Sequence, residues 1–145
     1  MSKEELLVLF AQHAELINLG SAEDAPSAEW IRKAEEELGI SFPDEYVWFL
    51  NTFGGGDIGG EEIYSIYCIP FDEAVGGDIV YQNKIASNNI FNGRLVVSET
   101  DFGEEFHYNL NDPERIYITT GDHMEIYSSS FVEYLQKRLI AYIQS

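Results

Sequence analysis

Four glycines decide what the first half of this chain can become. Gly39, and then Gly54, Gly55 and Gly56, interrupt a strongly patterned run between Trp30 and Tyr67. Before Gly39, the residues Ile31, Ala34 and Leu38 share one face at helical spacing. Gly39 stands where a left-handed C′ residue ends such a helix. Pro43 then suits the first turn of a second helix, because its φ is already helical and its missing N–H has no partner to lose there. In that helix Tyr46, Phe49, Leu50 and Phe53 fall at i, i+3, i+4 and i+7. The glycine triplet stops it, and Glu61 to Ile69, rich in Ile and Tyr, reads as a strand. Helix, break, helix, glycine turn and strand follow in that order.

The flanking segments fit around this frame. Ser2 and Glu5 match a capping box, and Leu6, Leu7, Phe10, Ala14 and Ile17 predict an amphipathic helix ended by Gly20. Ser21 to Ala28 is a short polar loop. Beyond the first strand, Pro70 to Gly77 is a loop and Asp78 to Ala86 one short helix, with Ile79, Val80 and Ile85 inward. Arg94 to Glu99 reads as a strand, Asp101 to Gly103 as a turn, and Glu104 to Leu110 as the returning strand. In the latter Phe106, Tyr108 and Leu110 alternate with Glu105, His107 and Asn109, the period of a half-buried strand. Ile116 to Thr120 and Met124 to Tyr127 form a further hairpin around Gly121 and Asp122. Ser130 and Glu133 make a second capping box, and Val132, Leu135, Leu139, Tyr142 and Ile143 line the last helix. Helices, a strand meander and a closing helix predict one α+β domain over 1–145. Its mostly antiparallel, twisted sheet is covered by N-terminal helices and a C-terminal helix.

The charge narrows the partners. With 26 acidic and 8 basic residues the formal net charge is −18, the wrong sign for binding nucleic-acid phosphates or an anionic membrane surface. Solubility alone accounts for such acidity, and so does a partner with a basic surface that the field attracts and orients. Cys68 is the single cysteine, so no internal disulfide forms, and its strand-like setting predicts a small buried hydrophobe. Leu6 to Ala11 is too short to span a membrane and follows Glu4 and Glu5. No secretory signal is evident, and a reducing cytoplasm is expected.

The Trp30–Tyr67 stretch resembles the N-terminal signature of the SUKH superfamily, which groups bacterial immunity proteins with the yeast cell-wall glucan synthesis regulator. The residues that carry the resemblance are Glu35, Leu38, Gly39, Ile40, Phe42, Pro43, Tyr46, Phe49, Leu50, Gly54 and Gly55. Phe53 stands where the family more often has Asn before the glycine pair. The end, SSFVEYLQKRL, resembles the family's closing helix. Gly103-Glu104-Glu105 departs from a family tendency to place aspartate after the hairpin glycine.

No motif carries catalytic chemistry. Gly54, Gly56 and Gly59 formally spell G-x-G-x-x-G. They follow a helix and open a strand, the reverse of a dinucleotide site, and Asp57, Glu61 and Glu62 repel phosphate. Asp101-Phe102-Gly103 matches a kinase tripeptide without any companion motif. His13, His107 and His123 show no metal-ligand spacing, with Glu105 and His107 read as exposed strand positions. No serine or cysteine stands in a nucleophile motif. No enzyme activity, cofactor or metal is expected.

What stands out is acid gathered in loops beside aromatics. The candidate partner-binding residues are Asp57, Glu61, Glu62, Tyr64 and Tyr67 around the first strand, and Asp101, Phe102, Glu104 and Glu105 around the second hairpin. A charged rim around aromatic anchors builds steered, tight interfaces. For any single residue, a solvated charge or a buried tyrosine is the plainer account. Together with the resemblance, the pattern implies an immunity protein that binds and blocks a cognate toxin domain with a basic surface, a nuclease fitting that charge. The alternatives are a regulatory scaffold of the cell-wall regulator type and, more weakly, an unrecognised hydrolase.

Overall fold

The structure is a computed structural model and describes residues 1–144. Helix α1 (Lys3–Gln12) is closed by the Ser2 capping box, with Glu5 N–H donating to Ser2 Oγ at 3.1 Å and Ser2 N–H to Glu5 Oε1 at 3.1 Å. It stops well short of Gly20. A single 3₁₀ turn follows, and Ile17–Leu19 forms strand β1. The expected helix fails here because Ile17, β-branched, pairs with Ile58 across a sheet, a long-range contact that outweighs local helical spacing. Helix α2 (Ala28–Leu38) starts under Ser27 and ends at Gly39, whose φ is +72° and whose N–H reaches Glu35 O at 2.8 Å. Helix α3 (Asp44–Phe53) begins directly after Pro43 and buries Tyr46, Phe49, Leu50 and Phe53. Between them the Glu35 carboxylate accepts from Phe42 N–H at 2.7 Å, fixing the angle of the break.

Strands β2 (Gly56–Ile58) and β3 (Glu61–Ile63) complete an antiparallel three-stranded sheet, β1-β2-β3. Gly56 has φ +131°, and a Cβ there would lie 2.1 Å from the Asn18 carbonyl oxygen, so only glycine permits the strands to approach. The expected strand to Ile69 ends six residues early. Buried Asp78 draws the chain off course, accepting from Tyr67, Val80 and Tyr81 N–H at 2.9–3.0 Å. Cys68 consequently sits in a loop, half-buried, at φ +59°, and not in a buried strand. The helical segment starting at Ile79 is π-wound over Tyr81–Ile85. Ile79 and Val80 point inward as expected, whereas Ile85 is exposed.

The second sheet is antiparallel in the order β4-β5-β6-β7 (Arg94–Glu99, Glu104–Asn109, Asp112–Thr120, His123–Ser128). The segments that precede β4 cover its outer edge. Asn83, fully buried, donates to Val96 O and accepts from Val96 N–H, at 2.9 and 2.7 Å. Tyr64 N–H meets Val97 O at 2.7 Å, and Ser98 Oγ donates to Glu62 O at 2.6 Å. Pairing leaves no ladder for another chain on that side. Helix α4 (Phe131–Ile143) lies on one face of this sheet. Phe131 is the hub of the core, 5.3–6.1 Å from the rings of Tyr46, Phe49, Tyr108 and Tyr134. Its N-terminus realises half of the expected capping box. Ser130 Oγ accepts from Glu133 N–H, but the Glu133 carboxylate turns to Ser129.

His107 corrects a sequence expectation. It is fully buried, held between Thr119 Oγ1 (2.7 Å) and Tyr108 O (3.2 Å) and stacked on Tyr117. Strand alternation marks which face a residue takes, not how well its neighbours cover that face. Burial holds its pKa below the ordinary imidazole value. Leu110, expected inward, lies in the β5–β6 turn and is exposed because the strand ends at Asn109.

Candidate functional site

Three distant segments meet in a cleft of about 520 Å³: the β2–β3 turn, the β4–β5 hairpin and the last turns of α4. Its floor is an ion pair. Arg138 grips Glu61 with two hydrogen bonds, Nε to Oε2 at 2.9 Å and Nη2 to Oε1 at 2.8 Å. Tyr142 O–H donates to the same carboxylate at 2.9 Å. The guanidinium also lies 4.6 Å over the Phe106 ring, and its Nη1 donates to the Tyr127 hydroxyl at 3.2 Å. Burial alone lowers an arginine pKa, but the hydrogen bonds to Glu61 and Tyr127 outweigh it and raise that of Arg138. The floor is therefore a fixed, internally neutralised pair.

The mouth is different. Phe102, at the hairpin tip, is 86% exposed and makes no ring contact inside the protein among the described residues. Beside it Asp101 is exposed, and Glu104 is half-buried against Thr100 Oγ1, 3.1 Å away. Glu62 faces them from β3 and is anchored by Tyr67 O–H at 2.6 Å. Glu99 completes the rim. Partial burial and the nearby Glu105 push its pKa up, as expected where carboxylates crowd together.

The nine sequence candidates thus separate. Glu61, Glu62, Asp101, Phe102 and Glu104 line one cleft. Glu61, however, is buried at 6% exposure. Its carboxylate is taken up by Arg138, so it is floor and not rim. Tyr64 is buried too, its carbonyl taking Tyr46 O–H at 2.8 Å, and burial raises its phenol pKa. Tyr67 braces the rim from beneath, donating to Glu62 and accepting from Gly77 N–H at 2.8 Å. Burial and the Glu62 bond push its pKa up to about 12. Glu105 pairs with Arg94 at 3.1 Å, and Asp57 shapes the β2–β3 turn through Asn18 Nδ2 and Gly60 N–H. Arg138 and Tyr142 were missed as cleft residues, although their i, i+4 spacing puts both on one helical face.

The cleft can receive cationic groups and an apolar edge. Among the described residues no group of three His, Cys, Asp or Glu side chains is placed to hold a metal ion. No described helix is long and apolar enough to cross a membrane.

The family model SUKH_6, described as SMI1-KNR4 cell-wall, matches residues 28–135, more than half of the chain. The chain belongs to the SUKH family. No curated protein matches it. The SUKH signature residues share one physical role. Glu35 and Gly39 set the α2–α3 break, and Leu38, Phe42, Tyr46, Phe49 and Leu50 fill the core. They build the scaffold and none lines the acidic cleft, whose floor residues Arg138 and Tyr142 lie beyond the matched segment.

Proposed function

We propose that this SUKH protein is a cytoplasmic, non-catalytic immunity protein that occludes a cognate toxin domain through the acidic cleft mouth. The observation that carries the reading is Phe102, 86% exposed and ringed by Glu62, Glu99, Asp101 and Glu104. An aromatic anchor inside a charged rim matches the anatomy of tight, steered interfaces. A toxin that cuts nucleic acid carries a basic surface to hold phosphates. A protein at −18 competes for that surface without any chemistry, so a nuclease is the toxin class that fits best. Glu61 and Tyr64, being buried, take no part in contact.

The test is co-expression with the cognate toxin domain in a sensitive host. Rescue accompanied by a stable complex and a chemically unmodified toxin is expected. Rescue with no complex, or with a covalently altered toxin, overturns occlusion. A second reading, a regulatory scaffold, is favoured by the cell-wall description of the matching family model. It predicts capture of a cell-wall synthesis component and no rescue from any toxin.

A further inference from the structure

The second sheet has one open edge. Its β4 side is sealed, whereas β7 stands last in the order β4-β5-β6-β7 with no further strand beside it among the described residues. The turn before β7 fixes where its main-chain groups point. Gly121 and Asp122 form a two-residue loop between the paired residues Thr120 and His123. Gly121 has φ +60°, as the first central residue of a type II′ turn requires. Thr120 and His123 then exchange both main-chain bonds, and bonded and non-bonded pairs alternate from there. Met124 opposite Thr119, and Ile126 opposite Tyr117, are therefore non-bonded pairs. Their N–H and C=O groups point away from β6, and among the described residues no loop or side chain bonds to them.

Over these residues the edge lacks the usual defences of such strands. His123 to Ile126 contains no Lys or Pro, and the bulge comes only afterwards, at Tyr127. At that point the edge is closed, with Lys137 Nζ donating to Tyr127 O at 2.6 Å. Ahead of it Met124 and Ile126 are 50% and 59% exposed. They share the sheet face of Tyr117 and Thr119, opposite to the one on which Phe106 meets α4. Glu125 lies between them on the other face, exposed.

A second copy of the chain fits this edge badly. Two β7 edges make most main-chain bonds with Met124 of one copy opposite Ile126 of the other. That register sets Glu125 against Glu125 in a non-bonded pair, where Cα atoms lie about 4.5 Å apart and like charges destabilise. A shift by two residues either way loses pairs to the turn at Asp122 or to the closed end at Tyr127. Each copy also carries a formal charge of −18.

We propose that the β7 edge takes up one antiparallel strand from a basic partner, with a lysine or arginine opposite Glu125 and an apolar residue on either side of it, opposite Met124 and Ile126. The free main-chain groups of Met124 and Ile126 are then all paired. An opposite-charge pair takes the place of the like-charge one, and the two apolar side chains cover Met124 and Ile126. Strand addition of this kind draws affinity from the main chain and selectivity from alternate side chains. The surface is separate from the mouth around Phe102 and does not depend on what that mouth binds.

The probe is the peptide Ac-Thr-Val-Lys-Val-Thr-NH₂, titrated into the ¹⁵N-labelled full chain. Hydrogen-exchange protection should appear at the amides of Met124 and Ile126, while Glu125, whose amide already faces β6, changes little. Glutamate in place of the peptide's lysine should weaken binding roughly tenfold, and Glu125→Lys in the protein should reverse that preference. Methylating both valine nitrogens of the peptide removes the donors and should abolish the protection. No protection at Met124 and Ile126, shifts centred on Phe102, or equal binding by the methylated peptide overturns the inference. Protection that rises with protein concentration alone, without peptide, also overturns it and assigns the edge to a second copy.

Discussion

Replacing Glu61 by alanine leaves the Arg138 guanidinium without its counter-ion in a site where the two side chains are only 2% and 12% exposed. Removing one partner of a buried pair costs about 3–5 kcal/mol, because the remaining charge stays desolvated. An exposed pair would cost about 0–1 kcal/mol. Arg138 keeps its stacking on Phe106 and its bond to Tyr127, which argues for the lower end, about 3 kcal/mol. Unfolding entropy near 2.1 cal/mol/K per residue gives about 0.3 kcal/mol/K for 145 residues. The unfolding temperature should then fall by about 10 °C, measurable by calorimetry and confirmed by the urea midpoint. Glu61→Leu combined with Arg138→Met should recover most of the loss, since an apolar pair of similar volume removes the desolvation cost of both charges. A loss below about 1 kcal/mol for Glu61→Ala would refute the burial of this pair and with it the fixed floor of the cleft.

Asn83→Leu should cost about 2–3 kcal/mol by urea unfolding, because Val96 N–H and O on the edge of β4 lose their partner. Gly56→Ala should cost on the order of 3 kcal/mol, with hydrogen-exchange protection lost first in β1, as its Cβ collides with the Asn18 carbonyl. Asp112 should titrate at about 2 in a carboxyl NMR experiment, held down first by Tyr117 O–H and then by neighbouring amides and Arg115. Its folded pKa lies below the unfolded value of about 3.9. Its contribution is therefore complete above pH ~4 and lost as pH falls toward about 2. Asp112→Asn should abolish that acid-dependent part.

Helices α2 and α3 were legible because their stops are chemical. Gly39 and the Gly54–Gly56 triplet leave little choice of boundary, and the four apolar positions of α3 are all buried. The β4–β5 and β6–β7 hairpins announced themselves through turn residues and alternation. What stayed hidden depends on contacts distant in sequence. Ile17 becomes a strand residue only because Ile58 is beside it. The stretch after Ile63 bends because Asp78, eleven residues from Tyr67, captures its backbone. Phe131 and Tyr134, outside the expected stripe, are buried because α4 is covered by sheet and helix together. In the candidate site, clustering of acid and Phe102 could be read from sequence. Which carboxylate becomes the floor could not, since that was decided by Arg138, 77 residues from Glu61.

The central claim, occlusion through a steered acidic rim, is tested most directly by the association rate of the purified protein with its cognate toxin domain across ionic strength. Between 0.01 and 0.15 M the Debye length shortens from about 30 Å to about 8 Å. The rate should fall steeply over that range. Asp101→Lys with Glu104→Lys should lower it further at low salt while changing dissociation less. Glu61 is left intact because its reversal would disturb the fold. An association rate indifferent to both salt and charge reversal would contradict the acidic rim as the binding surface.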